Sequence, residues 1–199
     1  MNNLQILKNY LKLKNKKILL EVGCNQGLIT QNLSRVKKLR LLSIDENQLH
    51  LNIAKKKFAK NDKVQFKKID FFKIKNKKKF DIILFREFFN IFTYNKNIKI
   101  VKKSEKILKN KGIVILIDFY RSVIFRSKLI KFLIKSKELT KNQNKFLKSS
   151  EDYKKYFNDK KWEVKIINKD LLNQHISFKS RILEMIFPVK YTLIATKKK

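Results

Sequence analysis

Short apolar runs that alternate with helical patterns are the feature that most constrains the fold of this chain. Seven runs have the length and composition of strands, at residues 17–22, 39–44, 64–69, 80–85, 113–118, 163–167 and 191–195. Between the first five, apolar residues recur at helical spacing, at positions 28, 29, 33 and 36, then 49, 53 and 58, then 98, 101, 107 and 108. This alternation predicts βαβ units in a mostly parallel sheet, with ligands bound at the carboxyl ends of the strands.

The last third of the chain has a different pattern. Residues 121–160 carry helical spacing, first between Ile124 and Leu133 and then at Tyr153, Tyr156 and Phe157. The two final strands follow with no helix of clear period between them. We therefore expect these strands to form a hairpin-like pair at one end of the sheet.

The length and the net charge limit the classes of protein to consider. A chain of 199 residues with 43% hydrophobic content can bury the core of one domain. A net charge of +34 would suit a disordered or nucleic-acid-coating chain, but the 12% aromatic content argues against disorder. All but six of the 50 basic residues are lysine. Lysine, asparagine, isoleucine and phenylalanine share A/T-rich codons, so the charge alone does not decide the function.

Cysteine, histidine and the apolar runs exclude several other classes. Cys24 is the only cysteine in the sequence, which excludes an internal disulfide and a cysteine-based zinc site. His50 and His175 lack neighbours with metal-ligating side chains, so we expect no metal centre. The apolar runs are far shorter than a membrane span of roughly 20 residues, and the first residues do not form a signal peptide. We expect a soluble, cytoplasmic protein.

The three glycines of the sequence all lie at the edges of predicted strands. Gly23 and Gly27 follow the first strand, and Gly112 precedes the fifth. Glycine adopts positive φ and lets the backbone approach a ligand closely. The first two glycines therefore predict either a turn whose amides face a cofactor or an ordinary strand-to-helix turn.

Carboxylates at the ends of three strands favour the cofactor turn. Glu21 closes the first strand, Asp45 ends the second and Asp70 follows the third, so the three converge on one edge of a parallel sheet. Glu21 would repel a pyrophosphate, the glycine spacing departs from G-x-G-x-x-G, and no P-loop sequence occurs. S-adenosylmethionine fits better, because its ammonium and sulfonium groups are cationic and its ribose hydroxyls donate to a carboxylate.

With these motifs the sequence resembles the class I S-adenosylmethionine-dependent methyltransferases, in their small-molecule branch of the methyltransferase-domain 11/25 type. The family's motif of an acid followed by three alternating glycines is similar to Glu21-Val-Gly23-Cys-Asn25-Gln-Gly27. Asn25 replaces the middle glycine, and asparagine enters left-handed backbone more readily than most residues. Asp45 matches the acid that holds the cofactor ribose. The resemblance spans about residues 17–120 in order and spacing.

The resemblance implies a Rossmann-like α/β fold with a seven-stranded, mostly parallel sheet, an antiparallel last strand and helices on both faces. It implies a single methyltransferase domain over 1–199, divided into an N-terminal helix (1–16), a cofactor-binding half (17–120) and substrate-side helices with the terminal strand pair (121–199). No catalytic base is identified. The implied cofactor-binding residues are Glu21, Gly23, Cys24, Asn25, Gly27, Asp45, Glu46, Asp70, Phe71 and Arg86.

Other residues near this edge carry two interpretations each. Cys24 lacks a partner base and suits a small turn residue. Arg86 and Glu87 either face the substrate or form an ion pair or a helix-end contact, and Asp118 either faces the substrate or lies solvated at its strand end. Four aromatic residues after the fourth strand either line a substrate pocket or pack in the core: Phe88, Phe89, Phe92 and Tyr94.

Three functions follow from these expectations. The first is methyl transfer from S-adenosylmethionine to a small molecule. No Asp/Asn-Pro-Pro-Tyr/Phe sequence follows the fourth strand, which argues against methylation of base amines or glutamine amides. The second is an RNA methyltransferase, which would place lysines and aromatic residues around the cofactor mouth, whereas an even coat of lysine would indicate compositional drift. The third is a non-catalytic binding module of the same fold.

Overall fold

The computed structural model describes residues 15–120, 150–167 and 189–198, which build one seven-stranded sheet with helices packed against it. The strands are β1 (Lys17–Val22), β2 (Leu39–Asp45), β3 (Val64–Lys68), β4 (Phe80–Arg86), β5 (Leu108–Tyr120), β6 (Trp162–Ile167) and β7 (Val189–Lys197). The helices are α1 (Leu28–Ser34), α2 (Gln48–Lys57), α3 (Tyr94–Ile107) and α4 (Ser150–Lys154), with short 3-10 helices at Phe71–Lys73 and Phe89–Ile91.

The order of the strands creates a crevice beside β1. The sheet runs β3-β2-β1-β4-β5-β7-β6, so the chain moves outward from β1 on one side and then returns to build the other. Strands β1 to β5 pair in parallel, and β7 pairs antiparallel with both β5 and β6. The predicted fold, including the antiparallel last strand, is confirmed. In such a sheet the ligand crevice lies at the carboxyl ends of the strands, where the order reverses between β1 and β4.

Helices cover both faces of the sheet, because successive strand residues point to opposite sides. On one face, Leu19 of β1 packs in a buried cluster with Leu33 of α1, and Phe58, directly after α2, packs against that cluster. On the other, Leu20 belongs to a larger cluster that includes Ile100 of α3. Apolar burial on both sides explains why the strands are nearly continuous apolar runs.

The start of β5 differs from the sequence prediction. The predicted fifth strand begins at residue 113 after Gly112, whereas β5 begins at Leu108, a residue that the helical pattern had included. The pairing with β4 shifts register between Phe80 and Ile82, from Leu108 to Ile113. Lys111 within this irregularity has φ +57°. Gly112 therefore lies inside an irregular strand and not in a turn that precedes it.

Several helical predictions extend beyond the observed helices. Val36 follows the end of α1, and Phe58 is the residue after α2. Tyr156 and Phe157 follow α4, in turns closed by bonds to carbonyl oxygens three residues earlier. Most of the predicted N-terminal helix at 1–16, the pattern at 124–133 and His175 lie outside the described residues. Among the described helices, none is long and apolar enough to cross a membrane.

Replacement of Gly112 by alanine should destabilise the fold. An added Cβ would lie 2.9 Å from the carbonyl oxygen of Lys109 and 3.2 Å from that of Asp81, so backbone would have to move. We expect the free energy of unfolding in urea to fall by about 1–3 kcal/mol. The exposed neighbour Asn110→Ala serves as control and should change it by less than about 0.5 kcal/mol. Equal stability of the two variants would contradict the packing described here.

Candidate functional site

The turn between β1 and α1 is built from alternating left-handed residues. Gly23, Asn25 and Gly27 have φ of +73°, +47° and +79°, so the left-handed conformation expected for Asn25 is confirmed. The amides of Gly23 and Cys24 donate to the carbonyl oxygen of Ile44 at 2.9 and 3.0 Å, which extends the β1–β2 pairing into the turn. The turn is thus held at the carboxyl end of the two central strands.

Glu21 is a buried carboxylate with two hydroxyl partners. Its Oε2 accepts hydrogen bonds from Thr30 Oγ1 of α1 at 2.5 Å and from Ser43 Oγ of β2 at 2.7 Å. The side chain is only 4% exposed. Burial raises the pKa of Glu21 to about 7, although the two hydroxyl bonds and the charge of Arg86 lower it. Near neutral pH this carboxyl group is therefore divided between its protonated and ionised forms, and a cation placed beside it would favour the ionised form.

Asp45 joins the turn after β1 to the turn after β2. Its Oδ2 accepts from the amide of Asn25 at 2.9 Å, and its Oδ1 accepts from the amide of Asn47 at 2.9 Å. Asn47 in turn caps α2 by accepting from the amides of Leu49 and His50. A carboxylate offers about four acceptor positions, so Asp45 can hold both turns and still accept a bond from a ligand.

Two adjoining clefts open above this turn, with volumes of about 340 and 390 Å³. Both are bordered by Gly23, Asn25, Arg86 and Glu87. Four carboxylates line one or both: Glu21, Asp45, Glu46 and Glu87. Among the described residues that line them there is no lysine, although lysine is abundant in the sequence. The clefts are therefore locally acidic in a chain whose net charge is +34.

Two of the remaining predicted site residues line the clefts, and one does not. Glu46 is exposed at the rim of the 340 Å³ cleft, and the buried ring of Phe71 lines it. Asp70 lies beside this wall but is not among the lining residues, because its Oδ1 caps the 3-10 helix by accepting from the amide of Phe72 at 2.8 Å. Nine of the ten predicted residues thus lie in the turn or line its clefts. The tenth, Asp70, forms a local capping bond.

The segment after β4 forms the opposite wall. Arg86 Nη2 and Glu87 Oε1 form an ion pair at 3.3 Å, as the ion-pair interpretation expected, and both side chains also border the clefts. Glu87 has φ +50°, a sparsely populated conformation for a residue other than glycine. Such strain is commonest where the surrounding structure fixes a functional segment.

Asp118 of β5 holds the segment after β4 in place. Its buried Oδ2 accepts from the amides of Phe89 and Asn90 at 3.0 Å each, so it neither faces a substrate nor lies in solvent, contrary to both expectations. Phe89 is fully buried, whereas Phe88 and Phe92 line the 340 Å³ cleft. Of the four aromatic residues, Tyr94 is the most exposed, at 46%.

Cys24 and His50 carry no reactive arrangement. Burial, followed by the negative charges of Glu21 and Asp45, raises the pKa of the Cys24 thiol, so this residue is a small buried element of the turn and not a nucleophile. His50 lies on α2 and lines the 390 Å³ cleft. Within the described residues, no group of three or more His, Cys, Asp or Glu side chains stands close enough to hold a metal.

Sequence reasoning missed Thr30 and Ser43, the two residues that hold Glu21. Ser43 was detectable, because it interrupts an otherwise apolar strand and stands directly opposite Glu21 in the β1–β2 register. Thr30 is the buried hydroxyl of the first turn of α1. Nothing in the sequence alone distinguishes it from the polar residues beside it.

The strand order and the antiparallel β7 define the fold as the Rossmann-like class I methyltransferase fold. Residues 19–112, which include the whole turn and the first four strand ends, match the family described as a methyltransferase domain. Over these residues the chain is similar to that family, whose members use S-adenosylmethionine. No curated protein matches the sequence.

Solved structures share the fold over nearly the whole chain. The YcgJ protein of Bacillus subtilis is 16% identical with a TM-score of 0.70, covering 98% of this chain and 97% of that one. Phosphoethanolamine N-methyltransferase 2 of Haemonchus contortus, solved with phosphomonomethylethanolamine and S-adenosylhomocysteine, is 16% identical with a TM-score of 0.73 over 98% of this chain and 52% of its own. Geranyl diphosphate C-methyltransferase of Streptomyces coelicolor is 13% identical with a TM-score of 0.71 over 99% and 80%. At such identities the likeness concerns the fold alone.

The raised pKa of Glu21 predicts how stability depends on pH. A carboxyl group that holds its proton more tightly when folded makes the protein lose stability as pH rises from its unfolded pKa of about 4.5 to about 7. The loss should total about 3 kcal/mol, and Glu21→Gln, which carries no charge at any pH, should remove it. Urea unfolding at pH 5 and pH 7.5 measures the difference. The exposed acid variant Asp62→Asn is the control and should keep the wild-type slope.

Proposed function

We propose that this chain is an S-adenosylmethionine-dependent methyltransferase that acts on a small molecule. The observation that carries the proposal is the acidic cleft above the left-handed turn, in a chain where basic residues greatly outnumber acids. A cleft that gathers carboxylates and excludes lysine is suited to a cationic ligand. S-adenosylmethionine carries an ammonium and a sulfonium group, and it is the methyl donor of the family.

The residues of the cleft fit this cofactor. The buried carboxylate of Glu21 lies behind the turn and would favour a cation, which would in turn favour its ionised form. Asp45 keeps acceptor capacity for the ribose hydroxyls at the end of β2. Gly23 presents backbone without a side chain between these two acids. Phe71 supplies an apolar ring in the wall of the 340 Å³ cleft, where adenine would lie.

The chain's contribution to the reaction is chiefly positional. When bound, the cofactor supplies an electrophilic methyl group on a sulfonium. Glu21, held by Thr30 and Ser43, would orient the charged end of the ligand, and Asp45 would fix the turn that carries it. Alignment of two reactants in a fixed geometry removes much of the entropic barrier of a bimolecular step. A general base is needed only where the acceptor atom must lose a proton.

A small acceptor is favoured over RNA by the lining of the clefts. An RNA methyltransferase would surround the cofactor mouth with lysines and exposed aromatic faces. The described lining contains no lysine and one arginine, Arg86, which is paired with Glu87; His50 lines one of the two clefts. The apolar wall of Phe88 and Phe92 borders a cleft of about 340 Å³, within the size range of small-molecule sites. The non-catalytic alternative is disfavoured because Glu21, Gly23 and Asp45 keep the expected arrangement.

Two further parts of the proposal concern the whole chain. The division into an N-terminal helix at 1–16, a cofactor half at 17–120 and a substrate-side part at 121–199 is supported by the site, whose described residues all lie within 17–120. A cytoplasmic location is proposed from the single cysteine of the sequence, which fits a reducing compartment. Imaging of a fluorescent fusion in the source cell would test it.

Loss of the Asp45 carboxylate should weaken cofactor binding. Asp45→Ala removes an acceptor for the ribose as well as the bonds to Asn25 and Asn47. We expect calorimetry with S-adenosylmethionine to show a loss of about 1–3 kcal/mol. Asp62→Ala, which removes an exposed acid away from the clefts, should bind as the wild type does. Unchanged affinity of a folded Asp45→Ala protein would remove this residue from the site.

Methyl transfer in the presence of competing acceptors should distinguish the functions. The enzyme is given labelled S-adenosylmethionine with total RNA or with a metabolite extract, at increasing salt. We expect label in the small-molecule fraction with little salt dependence, while RNA is bound but not methylated. Saturable transfer to RNA that falls with salt in step with binding, by a slope of roughly −0.7 per phosphate contact, would favour the RNA function. Cofactor binding without transfer to either fraction would favour a binding module.

A further inference from the structure

A further cleft, larger than the two at the site, lies toward the opposite end of the sheet. Its volume is about 790 Å³, and we call it the basic cleft. Six lysines line it: Lys78, Lys102, Lys106, Lys155, Lys161 and Lys197. Lys78 precedes β4, whereas Arg86 of the acidic clefts ends the same strand. Seven residues of strand separate the two regions by about 20 Å, so the basic cleft is not part of the methyl-transfer site.

The lysines converge through the fold and not through a repeat in the sequence. They come from the loop before β4, from α3, from the segment between α4 and β6, and from β7. Burial lowers the pKa of Lys197, and the charges of Lys78 and Lys161 lower it further, while Glu105 opposes this. Like charges are therefore close enough here to repel one another. The folded chain holds them together at some electrostatic cost.

Three of the six lysines have no acidic partner among the described residues, although Glu105 also lines the cleft. Lys161 pairs with Glu105 at 2.8 Å, and Lys155 pairs with Asp152 at 3.1 Å. Lys197 donates to the backbone oxygen of Glu105 at 3.0 Å, and Lys78 donates to the neutral side chain of Asn110 at 3.4 Å. The side chains of Lys102 and Lys106 form no hydrogen bond or ion pair with another described residue. Lys78, Lys102 and Lys106 thus bring positive charge to this cleft without a carboxylate partner among the described residues.

The floor of the cleft is apolar and firmly packed. Ile98 and Val101 of α3 lie on one side, and Tyr156 and Trp162 lie on the other. Trp162 is 2% exposed and packs edge-on against Phe157 at 5.4 Å between ring centroids. Because both aromatic rings are buried, they offer no free face on which the bases of a nucleic-acid strand could stack. A concave site of this volume with convergent cations suits a compact ligand.

We propose that the basic cleft binds a compact polyphosphate, either free or carried by a nucleotide. Lysine ammonium groups bind phosphate as point charges and need no planar geometry. Lys78, Lys102 and Lys106 would supply the charge, and the partly buried Ile98 would border the less polar part of a nucleotide. None of these lysines lines the acidic clefts. Binding to the basic cleft can therefore be tested without measuring methyl transfer.

The test must separate this cleft from the general positive charge. Calorimetry at 150 mM salt measures binding of tripolyphosphate and of ATP to the full chain and to the triple variant Lys78→Gln, Lys102→Gln, Lys106→Gln. The matched control carries Lys55→Gln, Lys56→Gln and Lys60→Gln, which remove three exposed lysines at α2 and just after it. Circular dichroism verifies that both variants are folded, and the substituted side chains are all exposed.

We expect saturable one-to-one binding that weakens about tenfold or more in the cleft variant and less than about twofold in the control. Equal affinity for the two probes assigns the binding to the phosphate chain, and tighter binding of ATP assigns it to a nucleotide; either result supports the site. Equal weakening in both variants, binding that does not saturate, or cleft-dependent binding of a single-stranded RNA oligomer without binding of either probe would overturn the proposal.

Discussion

The buried carboxylate of Glu21 is the interaction on which the organisation of the site depends. It lies on β1, the strand between β2 and β4, and its hydroxyl partners come from α1 and β2. A negative charge at this depth costs free energy, as the raised pKa records. The two hydroxyl bonds offset part of that cost and fix the direction of the carboxyl group. The buried carboxylate thus lowers the stability of the fold, but its orientation is fixed before a ligand binds.

The left-handed turn and the segment after β4 depend on similar devices. Asp45 on β2 ties the left-handed turn by accepting from the amide of Asn25. Asp118 on β5 ties the segment after β4 by accepting from two amides of that segment. The bonds to Asp118 are buried, and the first amides of the 3-10 helix at Phe89–Ile91 need such a partner because the helix itself offers them none. Both walls of the clefts are consequently attached to the sheet itself, which places their side chains more accurately than a free loop would.

Much of this arrangement could be predicted from the sequence, and the reasons for the exceptions are physical. Strand β1 was predicted with its observed bounds, because a buried parallel strand is a continuous apolar run. The left-handed Asn25 followed from its place in a glycine motif. The early start of β5 was missed, because a register shift beside Gly112 leaves no periodic signal. The role of Asp118 was missed because a buried acid and a solvated one look the same in a sequence.

The separation of charge also explains why the net charge alone does not decide the ligand, as the sequence analysis expected. A net charge of +34 suggests a polyanion at the active site, yet the described lining of the acidic clefts has no lysine. Base composition can add lysines wherever side chains reach solvent. A lysine beside the carboxylates of the clefts, however, would weaken the binding of a cationic ligand. Local chemistry is therefore a better guide to the ligand than the total charge.

The acidic clefts within a basic chain also affect how quickly a cation can reach its site. At long range an approaching cation meets the repulsion of the whole molecule, and only within about one Debye length, roughly 8 Å at physiological ionic strength, do the local carboxylates prevail. Added salt screens the distant repulsion more than the close attraction. The association rate of a cationic ligand should therefore rise with moderate ionic strength, the reverse of the behaviour of proteins that steer their ligands by an opposite net charge.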